Sequence, residues 1–153
     1  MLDKKNFAAA LKAMNFTANG NRYEKIFSEG VVMRADLDAK KLFYPRQLKG
    51  REHNTSCEDS DKENLVVFEC VNRLLDKGYK PEDIQLEKSW HLGHTSKSGR
   101  ADICVSSGDK VLFIIECKTF GAEFNHEHDN MKADGGQLFS YWQQEQSCQW
   151  LIL

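Results

Sequence analysis

The chain has 153 residues, 41% hydrophobic content and nine Phe, enough apolar material for one folded domain, with or without a small appendage, and too much for wholesale disorder. No unbroken apolar run exceeds the length of 111–115, far too short to cross a bilayer, and residues 1–5 lead into nothing resembling a signal peptide, so a cytoplasmic protein off the membrane is expected. The net charge of −2 hides an asymmetry, because residues 1–51 carry 11 Lys/Arg against 5 Asp/Glu and residues 52–153 carry 10 against 18.

A basic front end suits phosphates and an acidic remainder suits divalent cations, although ordinary solvated surface charge accounts for the same numbers. The five cysteines, at 57, 70, 104, 117 and 148, are odd in number and form no C-x-x-C pair. Cys70, Cys104 and Cys117 fall in apolar segments, which favours buried reduced thiols over zinc ligands or a disulfide framework.

Along the chain, Asp3 can cap a helix reaching about residue 16, with Phe7, Ala10, Leu11 and Met14 on one stripe. Asn19-Gly20-Asn21 breaks it, and strand-like runs follow at 23–27, 31–35 and 41–44, separated by turn signals. Residues 1–45 therefore read as a basic helix plus β-meander, and the aperiodic polar stretch 46–61 as a linker. Ser60 or Asp61 can cap a second helix through about residue 77, ended by Gly78. Strands are expected at 84–90, 101–106 and 110–118, a helix near 136–146 and a strand at 150–153. The main unit, 62–153, thus has the order α-β-β-β-α-β. Its apolar last four residues are those expected of a piece cut from a longer polypeptide.

The chemistry concentrates in Gly99-Arg100-Ala101-Asp102 and Ile115-Glu116-Cys117-Lys118. Val-Leu-Phe-Ile-Ile before Glu116 is a buried strand by composition. A carboxylate and an ammonium at its end are costly unless something offsets their desolvation. Side chains alternate along a strand, so Glu116 and Lys118 share a face and Cys117 opposes them. Asp102 joins that face only if the numbers of paired residues have an even sum. A two-residue turn at Ser107-Gly108 gives an odd sum, so an odd-length loop with left-handed Gly108, or a bulge, is required. Two carboxylates beside a lysine suit phosphodiester hydrolysis: magnesium takes oxygen ligands and keeps several waters, and a lysine can orient water or shield developing charge. A plain Glu–Lys pair at a strand end is the alternative.

Gln137 and Tyr141 stand four apart on one side of the next helix, and Gly135-Gly136 before it permits close backbone approach. An amphipathic helix with Leu138 and Trp142 in the core explains that spacing equally well. On the second helix Glu63 is in phase with Val67, Cys70, Val71 and Leu74, either as a further metal ligand or as a first-turn acid favoured by the helix dipole. Arg100 and Lys97 precede Asp102 and suit phosphate contacts. His126-Glu127-His128-Asp129 lies in a polar stretch expected to be a solvated loop that orders on DNA. His91 and His94 read as surface residues, and Trp90 as core.

Together, G-R-A-D, then I-I-E-C-K, then G-G-Q-L-F-S-Y resemble the PD-(D/E)XK nuclease superfamily, in its RecB-like branch with a Q-x-x-x-Y helix. The wider sequence, including Phe-Glu-Cys-Val-Asn-Arg-Leu-Leu, resembles the amino-terminal nuclease domain of type I or type IIG restriction-modification polypeptides. The resemblance implies a restriction-endonuclease-like α/β (α+β) core, a central mixed sheet flanked by helices. It implies a Mg²⁺-dependent DNA endonuclease, with Mn²⁺ able to substitute, and a methyltransferase or helicase/translocase elsewhere in the parent polypeptide. Asp102 and Glu116 would bind metal, Lys118 would serve the attacking water, Gln137 and Tyr141 would support the site and contact DNA, and Glu63 would match the helix carboxylate. Ala101 departs from the Pro that many members place before the Asp. A repair or recombination nuclease of the same fold, and a silent DNA-binding module, are the rival readings.

Overall fold

The computed structural model describes residues 4–50, 53–58, 62–90 and 99–153. Lys97, His91 and His94, and the expected helix caps Asp3, Ser60 and Asp61, lie outside the described residues. The chain divides into two units, 1–48 with 52–81 and 49–51 with 82–153.

In the amino-terminal unit, helix α1 (Lys4–Ala13) precedes strands β1 (Thr17–Asn19), β2 (Arg22–Ser28), β3 (Val31–Asp36), β4 (Lys41–Phe43) and β5 (Asn54–Ser56), and helix α2 (Lys62–Asp76) follows. The strands form an antiparallel sheet in chain order. Alternation sets its faces: in β3, Val31, Met33 and Ala35 are buried while Arg34 is exposed. Phe68 of α2 centres the core, its ring 6.4 Å from Phe7 and 5.6 Å from both Phe16 and Tyr44. Lys25 ties the layers together, donating at 2.8 Å to Met14 O, Asn72 Oδ1 and Asp76 Oδ2.

Three sequence expectations need correction here. The stretch 46–61 is not simply a linker, since Asn54–Ser56 extends the sheet by pairing with β4. Its Asn-Thr-Ser composition carries no alternation that would reveal a strand. Likewise Thr17–Asn19 is a strand that the Asn-Gly-Asn turn signal masked. Finally, α2 falls in the amino-terminal unit, where its Phe68 packs on Phe7, Phe16 and Tyr44.

The carboxy-terminal unit holds a mixed sheet of β6 (Ile84–Trp90), β7 (Gly99–Ser107), β8 (Lys110–Ile115) and β9 (Trp150–Ile152), in that spatial order, with helices α3 (Ala122–Asp134) and α4 (Gly136–Gln144) between β8 and β9. The fold is therefore mixed α+β, with two sheets and four α-helices among the described residues. β9 lies parallel to β8, and a parallel neighbour needs a long crossover, which α3 and α4 supply. Helix α3 replaces the expected polar loop; its composition gives almost no apolar stripe, so periodicity could not announce it.

The β7–β8 hairpin turns through Gly108-Asp109, with Ser107 paired to Lys110 and Ser106 to Val111, an odd register. Gly108 takes the left-handed φ of 58° that this turn requires. Past the turn the register shifts, so that Val105 pairs with Phe113, Cys104 with Ile114 and Ile103 with Ile115, an even register. The extra residue is Leu112, a β-bulge, and it is this bulge, not the loop length, that meets the parity demand. Continued by one step, the register sets Asp102 opposite Glu116. The ladder ends at Ile115, leaving Glu116 to Lys118 just beyond the strand. Deleting Leu112 should remove the bulge and leave one continuous register in which Glu116 still faces Asp102, whereas inserting one Ala between Ile114 and Ile115 should set Ile115 opposite Asp102 and send Glu116 to the other face. The expected sign, in amide hydrogen exchange, is loss of protection at the Cys117 N–H in the insertion variant but not in the deletion variant, while Val105 and Cys104 stay protected in both. Retained protection at Cys117 in the insertion variant would contradict the parity argument.

Candidate active site

Strand β8 is buried on both faces: Phe113, Ile114 and Ile115 are buried, as are Ile103, Cys104 and Val105 beside them on β7. Glu116 emerges at the carboxyl end of this apolar slab and is only 3% exposed. Its backbone N–H donates to Ile152 O at 2.9 Å, which holds the segment against β9 after the β7 ladder has ended. Lys118 Nζ donates to Glu116 Oε1 at 2.7 Å. This agrees with the two-residue alternation that puts both side chains on one face. The pair offsets much of the desolvation either charge would otherwise bear.

Asp102 lies in β7, and its Oδ2 accepts the backbone N–H of Cys117 at 2.7 Å. The residue that alternation sends to the far face thus contributes its amide instead, locking the two strand ends together. Tyr141 reports on both acids. Its phenol is held well above its ordinary pKa, first by burial and then by the negative charges of Glu116 and Asp102. The two carboxylates and the lysine therefore share one neighbourhood under helix α4.

Helix α4 is fixed from both ends. Tyr141 OH donates to Arg100 O at 2.6 Å and accepts from Gln137 Nε2 at 3.1 Å. The Tyr141 ring stacks on Trp90 at 5.4 Å and lies so close to Gly99 that a Cβ there would sit 2.9 Å from its Cε1. Gly99 thus owes its identity to the aromatic ring above it. At the helix start, Asp134 Oδ1 accepts Gly136 N–H and Glu127 Oε1 accepts Gln137 N–H, each at 3.0 Å. These satisfy two of the four donors that a helix N-terminus leaves open. A Cβ on Gly136 would meet Glu127 Oε1 at 2.6 Å, so glycine there lets the two helices close.

Of the residues singled out in the sequence, the structure brings together Asp102, Glu116, Lys118, Tyr141 and Gln137. Arg100 adjoins them through its carbonyl; its side chain is 60% exposed and pairs with Glu87 at 3.5 Å. Glu63 stands in the first turn of α2, a helix grouped with the amino-terminal unit. His126 and His128 lie on α3, about 200° apart at helical spacing, and do not converge. His126 Nε2 instead meets Asn130 Nδ2 at 3.3 Å, and His128 stacks on Phe124 at 5.8 Å. Sequence reasoning missed the buried Glu127 as the cap of α4; the helix start signalled by Gly135-Gly136 was the one available clue.

Asp102 and Glu116 offer oxygen donors only. That donor set fits magnesium, which takes one or two protein carboxylates and fills its octahedron with water and substrate phosphate. Among the described residues no cluster of three or more His, Cys, Asp or Glu side chains forms a closed metal centre, and no helix is long and apolar enough to cross a membrane.

A mixed α+β domain with two acids and a lysine at the end of a buried strand defines the class of protein. A family model, described as "Type I restriction enzyme R protein N terminus", matches residues 62–153, more than half of the chain. The chain belongs to this family, and so represents a component of a restriction-modification enzyme whose polypeptide carries further domains. No curated protein matches the chain.

Tyr141 yields a pH prediction. Its proton is held more tightly in the folded chain, so the stabilisation is complete below the ordinary phenol value of about 10 and is lost as pH rises above it. Tyr141→Phe should cost about 1–2 kcal/mol at neutral pH through its two hydrogen bonds. In urea titrations the unmodified chain should then lose its advantage over the variant between roughly pH 9.5 and 11. A constant gap across that range would contradict the assignment.

Proposed function

We propose that the chain is the DNA-cleaving module of its restriction enzyme, a Mg²⁺-dependent phosphodiester hydrolase of the PD-(D/E)XK type with a restriction-endonuclease-like core, working in the cytoplasm. The observation that carries this reading is the convergence of Asp102 and Glu116 beside Lys118, at a strand end where the bulge at Leu112 was needed to bring them together. Asp102 and Glu116 would hold the cation, with Mn²⁺ able to replace it. When bound, the cation supplies polarisation of the phosphoryl oxygen and a more acidic water.

The remaining work falls to the chain. Lys118, anchored on Glu116, holds the attacking water near the phosphorus and shields the charge that grows on the phosphoryl oxygens. The Cys117 N–H keeps Asp102 from rotating away. Tyr141 fixes the backbone at Arg100, and with it the strand on which Asp102 sits, while Gln137 orients the phenol and reaches the DNA backbone. Arg100 and Lys97 contact phosphates and so set register without reading sequence.

The Lys118–Glu116 ion pair favours a second reading, a DNA-binding module in which that pair is purely structural. Supercoiled plasmid and Mg²⁺ separate the two when supplied to the chain and to its parent enzyme. Lys118→Ala should slow cleavage roughly 100-fold or more, and Asp102→Asn should abolish it, with circular dichroism unchanged in both. Undiminished cleavage in Lys118→Ala, or none by the intact parent enzyme, would favour the inert module. Preference for linear ends over closed circles would point to a repair nuclease of the same fold.

A further inference from the structure

The β6–β7 ladder carries a feature that the cleavage chemistry does not use. Leu86 pairs with Ile103 and Lys88 with Ala101, which sets Glu87 directly opposite Asp102. No ladder pair forms at that step, and Glu87 has a φ of 50°. A left-handed backbone is costly for a residue that carries a Cβ, and such residues gather at functional sites. Glu87 is therefore an acid held in an unfavourable conformation, across from the aspartate of the site.

The partner of Glu87 is Arg100, at 3.5 Å, with the two side chains 47% and 60% exposed. Arg100 lies two residues before Asp102, so alternation puts both on one face of β7. Its backbone cannot drift, because Tyr141 OH holds its carbonyl and it pairs with Ser89 across the ladder. Only the guanidinium has freedom. Released from Glu87, it is free to turn toward Asp102 on the same face of β7 and neutralise the acid that the site needs charged.

We propose that Glu87 is a positioning residue that holds the Arg100 guanidinium off Asp102 at the mouth of the site and yields it to a backbone phosphate of bound DNA. This rests on the DNA-cleaving reading for its purpose, but not for its test. An exposed ion pair of this length is weak, so a phosphate displaces the carboxylate at little cost. Arg100 then makes a charge-assisted bond to the strand being cut, with its guanidinium already ordered.

The test is a double-mutant cycle in DNA binding, by fluorescence anisotropy of a labelled duplex with Ca²⁺ in place of Mg²⁺ so that cleavage does not intervene. Arg100→Ala should weaken binding and flatten the dependence of log K on log salt by about 1, the signature of one lost phosphate contact. With Asp102 engaged by Ca²⁺, Glu87→Gln should tighten binding about 2- to 5-fold in the presence of Arg100, since the carboxylate that competes with phosphate for the guanidinium is gone. The same substitution in the Arg100→Ala background should change affinity far less. Equal effects of Glu87→Gln in both backgrounds, or an unchanged salt slope in Arg100→Ala, would overturn the proposal. Absence of cleavage by the intact parent enzyme in Mg²⁺ would count against the nuclease reading alone, because the binding cycle does not depend on it.

Discussion

Whether Asp102 and Glu116 meet is decided by counting residues, since a strand sends successive side chains to opposite faces and a slip of one exchanges the faces entirely. The turn at Gly108-Asp109 starts the hairpin in a register that would separate the two acids. Leu112 then inserts one residue, and from Val105–Phe113 onward the faces agree. Everything downstream inherits that shift. The Cys117 N–H can reach Asp102 only because the strand ends now match, and Lys118 joins Glu116 only on the face so selected. A bulge leaves one residue unpaired in the ladder, a local weakness that the buried residues beside it on β7 and β8 offset by hydrophobic contact.

Burial sets the second constraint. An acid 3% exposed at the end of an apolar strand is tolerable only with strong partners. Lys118 provides one, and helix α4 lies over the site. Helix α4 brings Tyr141 down onto Gly99 and the Arg100 carbonyl, and α3 holds α4 in place through carboxylates rather than through an apolar stripe. A polar helix thus has a structural reason to exist: its Glu127 and Asp134 satisfy the amides of the helix that carries the phenol.

Those two constraints explain what the sequence made legible. Asp102, Glu116 and Lys118 stood out because charged residues beside a five-residue apolar run conflict with their surroundings, and parity turned that conflict into a definite geometric demand. The bulge could be required but not located, since Leu112 is as apolar as its neighbours and nothing local distinguishes it. The strands β1 and β5 escaped notice because Thr17–Asn19 and Asn54–Ser56 are polar and short, and are recruited by pairing rather than by burial. Helix α3 escaped because its sequence carries almost no apolar stripe, and Glu127 and Asp134 tie it to α4 instead. Glu87 was invisible for a different reason: its importance lies in a backbone angle and a cross-strand neighbour, neither of which a linear pattern encodes.

Charge places a further limit on how such a site works. Residues 52–153 carry 18 acidic against 10 basic side chains, so the stretch containing the site repels a polyanion at long range. At its centre stand two carboxylates and one ammonium, with Glu87 and Arg100 cancelling beside them. An excess of negative charge draws in a divalent cation but does not gather DNA, whose non-specific binding depends on cations replacing counterions along the backbone. On the proposed function, the module therefore cuts poorly when left to find DNA unaided and efficiently when the rest of its polypeptide delivers the duplex. For a restriction enzyme that separation is useful. On that reading, an acidic cleavage site with a conditionally available arginine would have low affinity for passing DNA, and the choice of where to cut would fall to other domains of the parent polypeptide.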